Sequence, residues 1–285
     1  MGEIVGAAVV CHQPSIMMPE EIRRLMGGGT DTSMVDGLAV MKKAIQDAGA
    51  DTLIIFDTHW FTTTEHIVAG APHYKGLYTS DELPTLITDH AYDYPGAPEL
   101  AQSIADIGAE RGVGTLNCTN TNIALHYPTI NLVHYLRDNE KILSTGVCQS
   151  AEAHNFIAFG EVLGEAIKQT DTRAVLLGAG GMSHKFWPLD TIFQHAEFSP
   201  EHVFTKEARK MDEKIIDLWE KGDHASVIAM YPEYRKHSPE GFFAHYLMMI
   251  GALGGGGCKS KGMKMSDYEN AVGTGQVHMW FDLAA

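Results

Sequence analysis

Three short apolar runs constrain this chain more than any other feature. Val5–Val10, Leu53–Phe56 and Val175–Leu177 are continuous stretches without polar alternation. Such runs read as strands buried on both faces of a parallel or mixed sheet. Segments of helical spacing lie between and after them. Val35, Leu38, Ala39, Met41 and Ile45 keep that spacing and stop at Gly49. Leu100, Ala101, Ile104 and Ile107 stop near Gly112, and Met211, Ile215, Leu218 and Trp219 stop at Gly222. Ile157, Val162, Leu163, Ala166 and Ile167 form a further one. Glycine just past the last periodic residue is an ordinary helix stop. Gln276–Phe281 alternates Val277, Met279 and Phe281 with other residues and reads as a closing strand. Strands alternating with helices predict an α/β fold: a mixed central sheet flanked by helices. Gly27–Gly29 and Gly254–Gly257 read as loops, neither long enough to divide the chain, so residues 1–285 are expected to form a single domain.

Each apolar run leads to a histidine. Val5–Val10 precedes His12, Leu53–Phe56 precedes His59, and Val175–Leu177 runs through a glycine-rich turn to His184. Ligands of open α/β sheets bind beyond the carboxyl ends of the strands. If the three strands are parallel neighbours, the three imidazoles converge there. A single histidine after a strand is more often a surface or capped residue; three in one structural position are harder to dismiss.

Composition narrows the function. With 21 Lys plus Arg against 36 Asp plus Glu, the net charge is −15, which argues against a nucleic-acid partner. No stretch approaches the roughly 18 apolar residues of a membrane-spanning helix. Glu3 and the lack of early basic residues argue against a secretory leader. The 4 Cys, at 11, 118, 148 and 258, show no C-x-x-C spacing, so reduced thiols in a cytoplasmic protein are expected. There is no P-loop and no H-E-x-x-H. The turn after Leu177 has Ser183 where a dinucleotide-binding motif needs its last glycine, and Ser183 also lacks the second glycine of a nucleophile elbow.

Two imidazoles and one carboxylate on one face suit a non-haem Fe(II) that must bind O2. The strongest candidate for the carboxylate is Glu240. Ser238 reads as an N-cap and Pro239 as a first helical residue, which puts Glu240 in a helix's first turn. Acidic residues favour that place through the helix macrodipole, and on spacing alone this plainer account is the better one.

At this point the residues are recognisable. The chain resembles the class III extradiol ring-cleavage dioxygenases, the protocatechuate 4,5-dioxygenase type, and within them the branch acting on homoprotocatechuate (3,4-dihydroxyphenylacetate). The resemblance runs nearly end to end. It is carried by His12-Gln-Pro-Ser, Phe56-Asp-Thr-His-Trp, Leu77-Tyr-Thr-Ser-Asp-Glu-Leu-Pro, Gly181-Met-Ser-His-Lys-Phe, Met211-Asp-Glu-Lys, Glu240-Gly and Gly273-Thr-Gly-Gln-Val. It implies that His12, His59 and Glu240 are iron ligands and that His184 is an acid/base histidine beside the metal. Many members carry a second acid/base histidine in mid-chain. Here Tyr127 aligns with it and His126 is shifted by one position, so that role does not transfer directly. Tyr127 could give a phenol hydrogen bond or be a packed turn residue.

The implied activity is Fe(II)-dependent cleavage of a catechol by O2 next to the diol, giving from 3,4-dihydroxyphenylacetate a carboxymethyl-hydroxymuconic semialdehyde. Alternatives are the same chemistry on an aminophenol, a dihydroxypyridine or another catechol, and a non-oxygenase metal-binding or signalling protein on the same fold. A zinc hydrolase is a third. A substrate carboxylate needs a cation in so acidic a protein. Lys185 is the candidate, against the plainer reading of a solvated lysine. His245, one helical turn beyond Glu240, is a second candidate on the substrate side, or part of a packed helix face. His154 and His195 carry no motif. The partners implied are a small aromatic diol and O2, with a homo-oligomeric assembly and neither nucleic acid nor membrane.

Overall fold

A computed structural model describes residues 1–281 and 283. The chain opens with β1 (Glu3–Val10), α1 (Glu20–Met26) and α2 (Ser33–Ala48), then β2 (Thr52–Thr62) and β3 (His66–Ala69). A hairpin of β4 (His73–Tyr78) and β5 (His90–Pro95) follows, then α3 (Pro98–Arg111), β6 (Thr115–Cys118) and α4 (Tyr127–Leu136). Next come β7 (Lys141–Cys148), α5 (Ala153–Gln169), β8 (Arg173–Ala179), α6 (Lys206–Lys221), α7 (His224–Tyr234) and α8 (Ala244–Ala252). The described chain closes with β9 (Gly262–Lys264), β10 (Glu269–Ala271), β11 (Thr274–Gln276) and β12 (Met279–Phe281).

Eight strands form one sheet in the order β6-β3-β7-β2-β8-β1-β12-β9. β1, β8, β2 and β7 are parallel neighbours, while β12 and β9 add antiparallel strands at one side, so the sheet is mixed. The three apolar runs are therefore three adjacent parallel strands. Their side chains divide between two cores. Ala7, Val9, Ile54, Phe56 and Leu176 face one hydrophobic cluster with α3, α5 and α8, while Ala8, Val10, Leu53, Ile55, Val175 and Leu177 face another with α2 and α4. Burial on both faces explains why these strands carry no polar alternation.

The expected helix stops hold. Gly49, Gly112 and Gly222 follow α2, α3 and α6 in the left-handed conformation, with φ of 64°, 69° and 69°, which a side chain would disfavour. The closing strand differs from expectation: it is split. β11 pairs only with β10, and β12 joins β1. Between them Cys11 intervenes. Its thiol accepts the Val277 N–H at 3.1 Å, and its own N–H donates to Nδ1 of His278 at 3.1 Å. These side-chain bonds replace the ladder bonds that a continuous strand would make. No helix among the described residues is long and apolar enough to cross a membrane.

Candidate metal centre

His12 stands two residues beyond β1, and Asn131 Nδ2 donates to its carbonyl at 2.9 Å. His59 lies within β2 where the register against β7 slips, between Phe56 and Phe61. Asp57 makes that irregularity. Its Oδ1 accepts the N–H groups of His59 and Trp60 at 2.9 and 3.2 Å, and its Oδ2 accepts the Thr129 hydroxyl at 2.7 Å. The backbone there wraps a buried carboxylate at the point where the register shifts.

Glu240 arrives differently from expectation. It does not sit in the first turn of α8. Residues Glu240–Phe243 form a separate tight turn before α8, with Gly241, Phe242 and Phe243 at φ of 51°, 64° and 63°. Three successive left-handed residues are costly for side-chain-bearing positions. At Gly241 a β-carbon would lie 2.7 Å from Thr58 Cγ2, so the backbone runs directly over β2 and only glycine fits there. The turn aims the carboxylate at the strand ends. Oε2 accepts the Gly181 N–H, and Oε1 accepts from the Thr58 hydroxyl at 2.9 Å.

One atom each of His12, His59 and Glu240 lies within 4.8 Å of the other two. His12 Nε2 and His59 Nε2 stand 3.0 and 3.2 Å from the same Glu240 oxygen. Ligands at about 2.1 Å on perpendicular bonds are about 3 Å apart, so the spacing fits two nitrogens and an oxygen on one face of an ion. The electrostatics agree. Burial opposes a charge on Glu240, yet His12, His184 and His59 around it hold the carboxyl well below its usual range. Burial likewise disfavours a cationic His59, but Glu240 and Glu82 outweigh it and lift the imidazole to about 10. Positive charge is favoured at this spot. A divalent cation would provide it and leave both rings neutral.

Tyr127, the first residue of α4, joins the group. Its hydroxyl is 3.0 Å from His59 Nε2, and its ring is 4.4 Å from the His59 ring and 5.4 Å from that of His12. Burial, then the charges of Glu240 and Glu82, push its ionisation far up, so the phenol keeps its proton. His126 is the helix N-cap and makes no side-chain capping bond. His184 is held through its own N–H on the Ser238 carbonyl at 3.1 Å, and burial lowers its imidazole below the ordinary value despite Glu240 nearby. Burial thus favours the uncharged imidazole, within the electrostatic reach of the buried Glu240 carboxylate.

Lys185 and His245 do not join this group. The Lys185 ammonium sits over the Phe204 ring at 4.4 Å. His245 is wholly buried beneath Gly180, where a β-carbon would lie 2.5 Å from its Nδ1, so no part of its ring presents a surface to a ligand. His154 is exposed beside Glu152, and His195 stacks on Trp187 at 3.7 Å. Asp57, Thr58 and Glu82 lie inside the motifs that carry the family resemblance, but nothing in their spacing shows what they hold.

A curated relative, 3,4-dihydroxyphenylacetate 2,3-dioxygenase of Escherichia coli, is 31% identical over 258 residues, spanning 89% of this chain and 91% of that one. An uncharacterized protein of Escherichia coli K12 of known structure superposes with a TM-score of 0.58 at 12% identity, covering 96% of this chain and 98% of that one; it supports the fold alone. The family model for the catalytic LigB subunit of aromatic ring-opening dioxygenase matches residues 6–281, and the chain belongs to that family, the class III extradiol ring-cleavage dioxygenases.

Proposed function

We propose that this dioxygenase uses Fe(II), held by His12, His59 and Glu240, to open the ring of 3,4-dihydroxyphenylacetate beside its diol. The convergence of those three side chains at the ends of parallel strands carries the reading. The curated relative's substrate supports the choice of ring. Bound there, Fe(II) would supply a Lewis-acidic, redox-active centre.

The protein's own groups have distinct tasks. A neutral catechol must lose a proton as it binds a metal. His184 is the group suited to accept it: burial disfavours its charged form, so the imidazole is available as a base, and its backbone N–H on the Ser238 carbonyl fixes the segment that carries it. The same group returns the proton as the ring opens. Tyr127 keeps its phenolic proton and donates a hydrogen bond across the reacting face. Asp57, Thr58 and Gly181 fix the two side chains that would otherwise drift. The cellular setting is the cytoplasm, in keeping with four free cysteines, and the assembly is a homo-oligomer.

Anaerobically purified, Fe(II)-loaded protein mixed with 3,4-dihydroxyphenylacetate, protocatechuate, 2-aminophenol and a dihydroxypyridine tests this directly. Oxygen uptake and a yellow product are expected, strongest with 3,4-dihydroxyphenylacetate. Uptake that prefers another ring overturns the substrate; no uptake with any of them overturns the activity.

A further inference from the structure

The β4–β5 hairpin stands outside the eight-stranded sheet; its strands pair only with each other. Tyr74 and Tyr94 of its strands pack into the second main core, and a third hydrophobic cluster seats its connecting segment. In that cluster Tyr78 and Ile87, at the two sides of the hairpin's connecting segment, meet Tyr127 and Ile130 of α4. The connecting segment, residues 79–89, is thereby held against the Tyr127 wall of the site.

One charged side chain on that segment reaches the metal centre. Glu82 Oε2 lies 3.4 Å from Nδ1 of His59, while Nε2 of the same ring faces Glu240 Oε1 at 3.2 Å. The two nitrogens of one imidazole therefore look at two different carboxylates, one on each side. His12 has no such arrangement. Its Nε2 faces Glu240, but its Nδ1 is buried without a partner. A half-exposed pair at this distance adds little to stability by itself. Its weight lies in geometry, because the outer hydrogen bond of a ligand histidine sets both the tautomer and the ring's orientation.

We infer that Glu82 is a positioning residue for the metal centre: its carboxylate accepts the proton of His59 Nδ1, leaves the Nε2 lone pair free for the ion, and makes the docked hairpin part of the site. The inference rests on the reading of His12, His59 and Glu240 as ligands. It assigns the hairpin a task that its edge position in the fold does not reveal, since loosening of residues 79–89 would free the ring orientation of one ligand of three.

Anaerobic titration of the apoprotein with Fe(II) alone, followed calorimetrically, tests it without recourse to turnover. Glu82→Ala is expected to bind Fe(II) about 10- to 100-fold more weakly than wild type. Glu82→Gln keeps an acceptor oxygen at the same reach and is expected to bind closer to wild type than Glu82→Ala does. Glu110→Gln, which removes an exposed charge from α3, is expected to bind as wild type. Wild-type affinity in Glu82→Ala overturns the inference, as does a Glu82→Gln variant as weak as Glu82→Ala, because plain charge would then be the cause. Fe(II) binding absent from wild type itself overturns the ligand set, and this inference with it.

Discussion

Ser183 gives both its backbone N–H and its hydroxyl to one buried carboxylate, Asp212, at 3.1 and 2.6 Å. The same carboxylate accepts from Tyr234 at 2.8 Å and from Tyr268 at 2.7 Å. Ser183 also bridges to Pro239, and the Glu240 N–H donates to the Met182 carbonyl at 3.1 Å. Asp212 thus stands behind the two segments that bring His184 and Glu240 together. Removing it strands several donors in a dry interior, at about 1–3 kcal/mol each before relaxation. Asp212→Ala is expected to lose several kcal/mol of stability in urea unfolding, and Asp212→Asn, which keeps the volume and one acceptor, to lose less and to slow turnover while retaining iron. Unchanged stability in both variants would show that the four bonds carry no net weight.

Acid should weaken the fold through two buried histidines outside the cluster of His12, His59 and Glu240. Burial lowers His66 and His278 to about 4. His278 is locked neutral, since its Nδ1 accepts from the Cys11 N–H and its Nε2 faces the Met34 carbonyl at 3.2 Å. His66 stacks on Phe159 at 4.4 Å, with Nδ1 unpartnered. Between their unfolded value of about 6.5 and about 4, the unfolded chain binds protons that the native one refuses. Stability is therefore present above pH 6.5 and lost as pH falls toward 4, by about 2 kcal/mol for each histidine at pH 5. Asp212 acts in the opposite sense. Burial raises it to about 6 despite its four donors, so its protonation restores about 1 kcal/mol over the fall from pH 7 to 5. The histidines dominate. Urea unfolding at pH 7, 6 and 5 should show falling stability, with a shallower fall in His66→Gln. An equal fall in that variant removes His66 as a cause.

Gly181 should matter to the metal rather than to the fold. Its N–H meets Glu240 Oε2, and a β-carbon there would lie 3.0 Å from that oxygen and 2.6 Å from Gln276 Nε2. Both are ends of side chains that can shift, so the backbone need not move. Gly181→Ala is expected to fold with little change in thermal midpoint and to bind Fe(II) at least about tenfold more weakly, because Glu240 is displaced. Wild-type affinity in this variant would mean that the carboxylate tolerates the methyl group.

The parts legible in the sequence are those whose signals are local. Strands buried on both faces must be apolar at every position, so Val5–Val10 and Val175–Leu177 declare themselves, and glycines 49, 112 and 222 mark helix ends where a left-handed residue is required. His12 and His184 follow because each stands past such a strand, and His59 because it follows the apolar run inside β2. Glu240 shows the limit. Ser238-Pro-Glu reads as a helix start, but nothing local predicts Phe242 and Phe243 in left-handed conformations, nor the close approach of Gly241 to β2, far away in sequence. Glu82 is the extreme case. Its motif marks the segment, but nothing local gives an exposed acidic residue in a loop a task until the hairpin docks and sets it beside a histidine 23 positions away.

The two groups assigned to proton handling should separate cleanly by substitution. His184 contributes no atom to the cluster of His12, His59 and Glu240, and its backbone is tied to Ser238 independently of its ring. His184→Phe is therefore expected to retain iron near the wild-type level while turnover slows by about 10²-fold or more, as loss of a general base implies. Tyr127→Phe removes only the hydroxyl beside His59 Nε2 and leaves the ring packed against Ile87 and Ile130. A lost hydrogen bond of this kind is worth about 1–2 kcal/mol, so a fall of about 5- to 30-fold in kcat with iron retained is expected. Measured iron content decides between the roles: its loss in His184→Phe would make that histidine a ligand rather than a base, and a fall with Tyr127→Phe as deep as with His184→Phe would move the proton-accepting step to the tyrosine.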